Sequence, residues 1–220
     1  MGSHRASGLQ SSRPVGERPV SWKGLGEQVL RDAGVEEIDG TVYVPYRGAD
    51  GCPLFAKCFR YARSWIEPAG VEVVPYGLEL LPASPWIAER SMLLITEGES
   101  DALAMREHLV GAFALALPGA GTWRTEWMRY LRPFLTIYVL GDGDEPGRRM
   151  NDRVAQDCRW ARRVRLPDGQ DVRGILQRDG RRGLLPYLEA ADYDALLKSA
   201  LRASDGDVTR FEQLVREGLA

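Results

Sequence analysis

Between residues 92 and 166, short apolar segments alternate with segments that suit amphipathic helices. Residues 92–96 (Met-Leu-Leu-Ile-Thr) form a nearly continuous apolar run, which is typical of a strand buried on both faces. Alternating segments follow it: strands are predicted at 113–117, 134–140 and 163–166, and helices at 100–109, 122–131 and 146–161. This alternation predicts an α/β domain built on a parallel, doubly wound sheet.

Acidic clusters directly follow three of the four predicted strands. They are Glu97-Gly-Glu-Ser-Asp101, Asp142-Gly-Asp144 and Asp168-Gly-Gln-Asp171. The carboxyl ends of parallel strands form one edge of a sheet, where ligands bind. Crowded carboxylates repel one another unless a cation compensates them, and magnesium prefers such oxygen ligands. The sequence therefore predicts a divalent metal site at this edge.

The segment before residue 85 predicts a smaller, mainly antiparallel α+β unit. A helix is expected at 24–33, followed by strands at 40–46, 54–59 and 71–74. Residues 1–20 are rich in Ser, Gly, Arg and Pro and are expected to be disordered or vector-derived. Short helices are expected after residue 171, with breaks near 180–183 and 205–207.

The net charge, the cysteines and the lengths of the apolar runs limit the classes of protein to which this chain can belong. The net charge of −2 does not by itself indicate a nucleic-acid binder, although residues 148–165 contain seven arginines against two acids. This run alone favours a solvated helix face. The three cysteines lack the partners of a structural zinc site. Since no apolar run is long enough to span a bilayer and no signal peptide opens the chain, we expect a cytoplasmic protein without membrane contact.

Residues 94–102 resemble the Glu-Gly motif of the Toprim domain, which bacterial primases, topoisomerases and certain nucleases share. Residues 142–148 are similar to its Asp-x-Asp motif in the primase form, and residues 117–122 correspond to a small-residue turn between the two motifs. Residues 166–173 resemble the third acidic segment of bacterial primases, with Arg173 where that family usually has another aspartate. The likeness is closest to the catalytic core of DnaG-type primases.

The resemblance extends upstream into the basic subdomain that precedes Toprim in bacterial primases. Residues 40–47, 50–51, 55–60 and 76–78 are similar to its motifs. The nearest counterpart of the family's Lys-Tyr-Leu-Asn element is residues 63–68, which contain no lysine. The resemblance implies a basic subdomain at 21–88, a Toprim domain at 89–180 and a helical segment at 181–220. A zinc ribbon and a helicase-binding domain are missing, so we expect a truncated core or a compact mobile-element protein.

The resemblance also implies roles for individual residues. Catalysis would rest on Glu97, Asp142 and Asp144, which would bind Mg²⁺ or Mn²⁺ together with Asp168 and Asp171; Glu97 could instead act as a general acid or base. Residues implied to contact template and nucleotide phosphates are Arg47, Lys57, Arg60, Arg63, Arg148 and Arg149. Residues implied to support the motifs are Gly98, Asp101, Gly119, Gly121, Gly143 and Gly147.

Three functions fit these motifs. The first is a primase-like nucleotidyltransferase that takes single-stranded DNA and nucleoside triphosphates, assisted by a replicative helicase or a separate zinc-binding module. The second is a Toprim nuclease that hydrolyses phosphodiesters with the same metal. The third is an inactive nucleic-acid-binding accessory protein. Topoisomerase activity is disfavoured, because strand passage requires a nucleophilic tyrosine domain and a much longer chain.

Overall fold

Two four-stranded sheets organise residues 20–219, the part of the chain that the computed structural model describes. The region expected to be disordered or vector-derived therefore lies almost entirely outside the described residues. Helix α1 (Glu27–Asp32) precedes the first sheet. This sheet is antiparallel throughout, and its strands follow one another in sequence order: β1 (Glu36–Ile38), β2 (Thr41–Arg47), β3 (Pro53–Arg60) and β4 (Arg63–Glu67).

Local turn geometry explains the hairpins of the first sheet. Between β2 and β3, Gly51 has a φ of 78°, a left-handed conformation that glycine adopts without strain. Between β3 and β4, Tyr61 is also left-handed, and Arg60 pairs directly with Arg63. The strand predicted at 71–74 is wrong, because residues 71–75 have no regular secondary structure. Their valines pack against the core instead, and β1 and β4 were not predicted.

The second sheet is parallel, which confirms the predicted α/β architecture. Helix α2 (Pro85–Glu89) leads into β5 (Met92–Thr96), α3 (Glu99–His108) and β6 (Ala112–Ala116). The chain continues through a 3-10 turn (Thr125–Trp127), α4 (Met128–Leu131), β7 (Thr136–Leu140), α5 (Glu145–Asp157) and β8 (Arg162–Arg163). The strand order is β6-β5-β7-β8. Of the helix predicted at 122–131, only the last four residues are α-helical, and the 3-10 turn precedes them.

Both faces of the parallel sheet are covered, as the apolar run of β5 predicts. One face packs against α4 and α5 through a cluster that contains Trp127 and Phe134. The other face packs against α3 and the C-terminal helices in a cluster that also includes Val44 and Tyr46 of β2. The two sheets therefore share a hydrophobic core, which fixes the first sheet beside the carboxyl edge of the second.

The C-terminal segment is helical, as predicted. Helix α6 (Val172–Ser204) is interrupted at Gly180, whose φ of 60° and ψ of −161° are not helical. Helix α7 (Val208–Leu219) follows after Asp205, which is left-handed. The predicted breaks near 180 and 205 are therefore both present, whereas the proposed domain boundaries stay predictions. Within residues 20–219, no helix has the length and apolar character needed to cross a membrane.

Candidate active site

The carboxyl ends of β5 and β7 bring Glu97 and Asp142 together. These strands are adjacent and in register from Met92 opposite Thr136 to Thr96 opposite Leu140. The next residues therefore leave the sheet side by side, and the backbone N–H of Asp142 donates to Glu97 Oε2 at 3.4 Å. With Asp144, two residues further on, they form what we call the acidic centre.

Asp142 is the least compensated of these acids. Its Oδ1 atom is buried and has no hydrogen-bond partner among the described residues. Burial, followed by the charges of Asp101, Glu97, Asp171 and Asp144, raises the pKa of Asp142 to about 7. Burial also raises the pKa of Glu97, with a contribution from Asp144. Crowded, partly buried carboxylates of this kind are stabilised either by binding a proton or by a nearby cation.

The donor set fits a hard divalent cation at its centre. The orphaned oxygen of Asp142 and the half-buried Glu97 are carboxylates, which magnesium and manganese prefer. Within residues 20–219, however, no group of three or more Asp, Glu, His or Cys side chains is arranged closely enough to hold a metal ion. The fit therefore rests on the neighbouring carboxylates of Glu97 and Asp142, and magnesium typically takes its remaining ligands from water and substrate phosphates.

Asp144 is shaped by its position at the start of α5. Its Oδ1 accepts a hydrogen bond from the backbone N–H of Gly147 at 2.8 Å and caps the helix. The glycines of this turn are needed for close packing. A Cβ atom at Gly143 would lie 1.8 Å from the carbonyl oxygen of Pro167, and one at Gly147 would lie 2.2 Å from that of Asp142. Gly143 thus packs against protein and does not face a ligand.

A buried asparagine that the sequence did not single out holds the same turn. Asn151 on α5 accepts a hydrogen bond from the backbone N–H of Gly141 at 2.7 Å and donates to the carbonyl oxygen of Val164 at 2.9 Å. It therefore ties the turn before Asp142 to the chain that follows β8. Its spacing from Asp144, seven residues along a helix, was the available signal, since such residues share a helix face.

The third acidic segment is joined to the second but contributes less to the acidic centre. Gly143 donates to the carbonyl oxygen of Gln170 and accepts from Gly169, both at 2.8 Å. Asp168 points outward, is 95% exposed and pairs with Arg148 at 3.1 Å. Asp171 caps α6 through Gly174 and pairs with Arg173 at 2.7 Å. The structure therefore places Asp168 outside the cluster, while Asp171 acts on Asp142 through its charge.

Asp101 connects the first and third acidic segments. It is buried, and its Oδ1 accepts from the backbone N–H of Arg173 at 3.0 Å. Burial raises the pKa of Asp101 to about 6, opposed by this hydrogen bond. It therefore fixes the start of α6 beside α3. Gly98 provides room for this carboxylate, because a Cβ there would lie 3.2 Å from Asp101 Oδ2.

Lys57 occupies an interior position. Its ammonium group donates to Glu99 Oε1 at 2.9 Å, to Glu99 Oε2 at 3.2 Å and to the carbonyl oxygen of Pro118 at 2.8 Å. Tyr46 donates its hydroxyl to the same Glu99 carboxylate. The Lys57 side chain is 12% exposed and that of Glu99 is 3% exposed. Lys57 thus joins the first sheet to the parallel sheet, with its donors engaged within the protein.

Lys23 is a second residue that sequence reasoning missed. Although the residue is exposed, its ammonium group turns inward, 3.2 Å from Ser100 Oγ and 5.3 Å from the centre of the Trp22 ring. Burial lowers the pKa of Lys23, and the charge of Arg173 contributes. Its backbone is left-handed, and its carbonyl oxygen accepts from Gln177 at 2.8 Å. A lysine therefore lies beside the start of α3, although residues 63–68, the nearest counterpart of the Lys-Tyr-Leu-Asn element, contain no lysine.

The remaining predicted basic residues form two groups. Arg60 and Arg63 are exposed at the tip of the β3–β4 hairpin, and Arg47 is partly buried at the end of β2. Arg148 and Arg149 lie in the first turns of α5, where both form ion pairs with Glu145. At the end of β6, Gly119 accepts from Thr122 in a tight turn that also contains Gly121. The hairpin tip thus presents positive charge, whereas Glu145 and Asp168 compensate the charges of Arg148 and Arg149.

Comparisons with known proteins place this geometry in context. No family model matches the chain. The gene 57 protein of Mycobacterium phage D29 is 33% identical over 93 residues, which cover 42% of this chain and 60% of that protein. The DNA primase DnaG of Archaeoglobus fulgidus is 27% identical over 129 residues, which cover 59% of this chain and 32% of that protein. The chain thus spans less than two thirds of either curated relative.

Similarity to solved structures identifies the fold of this chain. The primase fragment of the bacteriophage T7 primase-helicase protein has a TM-score of 0.63 at 19% identity, with 78% of this chain and 74% of that chain covered. The Aquifex aeolicus primase (zinc binding and RNA polymerase domains) gives 0.58 at 19% identity, covering 81% and 51%. A DnaG primase catalytic domain bound to ssDNA gives 0.56 at 19% identity, covering 87% and 76%. The chain therefore has the fold of DnaG-type primase catalytic cores, which confirms the resemblance drawn from its motifs.

Proposed function

We propose that this chain is a primase-like, metal-dependent nucleotidyltransferase that synthesises short oligonucleotides on single-stranded DNA. The observation that carries the proposal is the buried, unpartnered oxygen of Asp142 beside Glu97, at the carboxyl edge of a primase-type sheet. A bound cation would favour the ionised form of both carboxylates. The fold shared with a DnaG catalytic domain bound to ssDNA supports nucleic-acid phosphates as the substrate class.

Glu97, Asp142 and Asp144 are the residues that would hold Mg²⁺ or Mn²⁺. When bound, such an ion neutralises charge that develops on a transferring phosphoryl group. The protein supplies rigidity: Asn151 and the packed glycines fix the turn that carries both aspartates. In the alternative assignment Glu97 would not bind the metal, and its raised pKa would suit it to act as a general acid or base.

The exposed cations would bind the two phosphate-bearing substrates. Arg60 and Arg63 at the hairpin tip, together with Arg47, supply positive charge for the template backbone. Arg148 and Arg149 lie at the N-terminus of α5, where backbone N–H groups also favour phosphate. Lys57 takes a structural role in this scheme, because Glu99 and Pro118 engage its ammonium group. Lys23, whose ammonium group lies 3.2 Å from Ser100 Oγ, is a second lysine beside the start of α3.

The decisive experiment is template-directed synthesis with single-stranded DNA, labelled nucleoside triphosphates and Mg²⁺ or Mn²⁺. Asp142→Ala and Asp144→Ala are each expected to lower the rate on the order of 10³-fold, the scale of losing a main electrostatic stabiliser. Asp168→Ala is the matched control, because it removes an exposed carboxylate from the adjoining turn. Its rate should stay within about tenfold of the wild type, the lower end of the effects of outer-sphere partners.

The same reactions separate the three functions. Synthesis that persists in both the Asp142 and the Asp144 variants contradicts the assigned site. Degradation of the template without synthesis indicates the Toprim nuclease instead. Tight DNA binding with neither reaction indicates the accessory protein. Manganese binding, followed by electron paramagnetic resonance in the wild type and in Asp142→Ala, tests the metal site without requiring turnover.

Initiation by this chain would take place in the cytoplasm with help from another module. The solved relatives include a primase with a zinc-binding domain and a fragment of a primase-helicase. This sequence has three cysteines and two histidines without zinc-site spacing. We therefore propose a separate zinc-binding module or a replicative helicase as a partner. Addition of either should raise the rate of initiation and leave the rate of primer extension unchanged.

A further inference from the structure

A second charged surface lies beyond the edge strand β8, away from the acidic centre. It is a groove of about 1020 Å³ between the second half of α5, residues 159–163 and the C-terminal part of α6. We call it the β8 groove. Its lining includes five cations and two acids: Arg159, Arg162, Arg163, Lys198, Arg202, Asp152 and Asp194.

The positive charge of the β8 groove is only partly compensated. Arg163 pairs with Asp152 at 2.6 Å, and Lys198 lies 3.7 Å from Asp194. Arg162 pairs with Asp192 just outside the lining. Arg159 and Arg202 are exposed and form no ion pair with any residue in 20–219. The groove therefore offers two free cations from different elements within a basic surface.

An aromatic ring stands at the same groove. Trp160 is 43% exposed, and its Nε1 donates to the carbonyl oxygen of Phe134 at 3.0 Å. The bond holds the indole in place while part of its surface remains open to solvent. Leu135, which is 67% exposed, lines the same groove. A fixed aromatic ring beside free cations is the combination that binds single strands through stacking and phosphate contacts.

The β8 groove is separate from the acidic centre. Helix α5 has 13 residues and is therefore about 20 Å long. Asp144 caps its first turn, whereas the groove contacts Asp152, Ala155 and Gln156 in its second half. The arginine-rich run at 148–165 is thus divided by the fold. Arg148 and Arg149 lie at the acidic end, and Arg159, Arg162 and Arg163 lie at the groove.

We propose that the β8 groove binds single-stranded nucleic acid, with backbone phosphates at Arg159 and Arg202 and an unstacked base on Trp160. The positive charge of the groove favours a polyanion as the ligand. The exposed face of the Trp160 indole favours unpaired bases, because the bases of a duplex are already stacked on one another. This site adds to the proposed function a contact with the strand outside the catalytic centre.

Fluorescence anisotropy with a labelled oligo(dT) of about 20 nucleotides, longer than the site of one small binding module, tests the proposal. EDTA is present throughout so that metal at the acidic centre does not contribute. Arg159→Glu/Arg202→Glu is compared with Arg90→Glu/Arg210→Glu, an equal change of net charge at exposed arginines outside the groove. We expect about tenfold or greater weakening for the groove variant and about twofold for the control. The slope of log affinity against log salt should fall by about 1.4, since each single-strand phosphate contact contributes about 0.7.

A second variant tests the stacking contact. Trp160→Ala should weaken binding of the oligonucleotide by about tenfold, and Trp160→Phe should restore most of the affinity because it keeps an aromatic face. Circular dichroism checks that both variants fold. Failure of Trp160→Phe to restore binding would overturn the stacking assignment.

Other outcomes are equally informative. Equal weakening by the groove and control variants, or no weakening by either, overturns the proposal. Tighter binding of duplex than of single strand also overturns it. The proposed catalysis is tested apart from the groove: Asp142→Ala should abolish synthesis and keep groove-dependent binding. Conversely, Arg159→Glu/Arg202→Glu should keep synthesis at saturating template.

Discussion

The acidic centre and the β8 groove lie toward opposite ends of helix α5 and accommodate charge in different ways. In the acidic centre, Glu97 and Asp142 are partly buried, Asp144 is exposed, and one oxygen of Asp142 has no partner within the described residues. In the groove, the charged side chains are mostly exposed, and several form ion pairs. Burial makes each contact strong and its loss expensive, while solvent screens the exposed pairs. The comparison predicts that single changes near the acids have large effects and that single changes at the groove have small effects on stability.

The largest effect on stability is expected at Lys57. Lys57→Met leaves the buried Glu99 carboxylate without its cation, so the free energy of unfolding should fall by about 3–5 kcal/mol in urea titrations. Lys57→Met/Glu99→Gln should recover much of this loss, because no buried charge remains. Arg149→Met is the exposed counterpart and should cost about 0.5 kcal/mol or less. Equal losses at the two positions would show that Lys57 does not hold the sheets together.

A somewhat smaller effect is expected at Asn151. Asn151→Leu leaves the backbone N–H of Gly141 and the carbonyl oxygen of Val164 without partners, at a cost of about 3 kcal/mol. Synthesis should fall as well, because this residue positions the turn of Asp142. Gln156→Leu, an exposed change on the same helix, should stay within about 0.5 kcal/mol. A stable Asn151 variant would contradict the bridging role.

The acidic centre should also respond to pH and metal. Because the folded protein raises the pKa of Asp142 to about 7, its folded state binds this proton more tightly than the unfolded chain does. In EDTA, stability should therefore fall as pH rises from about 4, the ordinary pKa of an aspartate, through about 7, and level off above it. The difference in Tm between Asp142→Asn and wild type at pH 8 should be about 2–4 °C in favour of the variant.

Addition of Mg²⁺ at pH 8 should raise the Tm of the wild type and leave Asp142→Asn unchanged. Bound metal compensates the carboxylates only in the folded state, so it stabilises that state by mass action. Differential scanning calorimetry on the two proteins provides the measurement. If the Tm of Asp142→Asn responded to pH and Mg²⁺ as the wild type does, the Asp142 carboxylate would not be the group responsible for these responses.

The smallest effect is expected at Arg163. Arg163→Ala breaks a 2.6 Å ion pair with Asp152, yet both side chains are exposed, and the free energy of unfolding should change by about 0.5 kcal/mol or less. Thermal unfolding of Arg163→Ala and Lys57→Met, measured side by side, compares the loss of an exposed ion pair with the loss of a buried one. A loss above about 2 kcal/mol at Arg163 would show that the groove is more rigidly constrained than its exposure indicates.

Much of the parallel sheet could be predicted because β5, β6 and β7 are mostly apolar and acids directly follow β5 and β7. The meeting of Glu97 with Asp142 follows from this placement, since the carboxyl ends of parallel strands share one edge. The strand order β6-β5-β7-β8 was not predicted, because it depends on which strands pair in the folded chain. The valines at 71–74 show the limit of this reasoning. Their side chains suit a strand, yet they pack on the core without backbone pairing, which is decided by tertiary contacts.

The parts of the site that could not be predicted depend on contacts between distant segments. Lys23 reaches Ser100 across 77 residues and Lys57 reaches Glu99 across 42, and no local pattern reports either contact. The outward position of the Asp168 side chain could likewise not be predicted from the sequence. Gly169, with a φ of 72°, forms a turn beside it, and Arg148 draws the carboxylate outward. The types and spacing of the residues indicated the chemistry of the site. The direction in which each side chain points could be read only from the folded structure.

The bonds made by Lys57 have a mechanical consequence. This residue lies on β3, the strand that ends in the hairpin tip with Arg60 and Arg63, and its ammonium group is attached to Glu99 and Pro118. Under the proposed function, a template strand drawn across the hairpin would pull on the first turn of α3, two residues from Glu97, and on the loop after β6. The Lys57 contacts would then couple the position of the template to the alignment of the carboxylates.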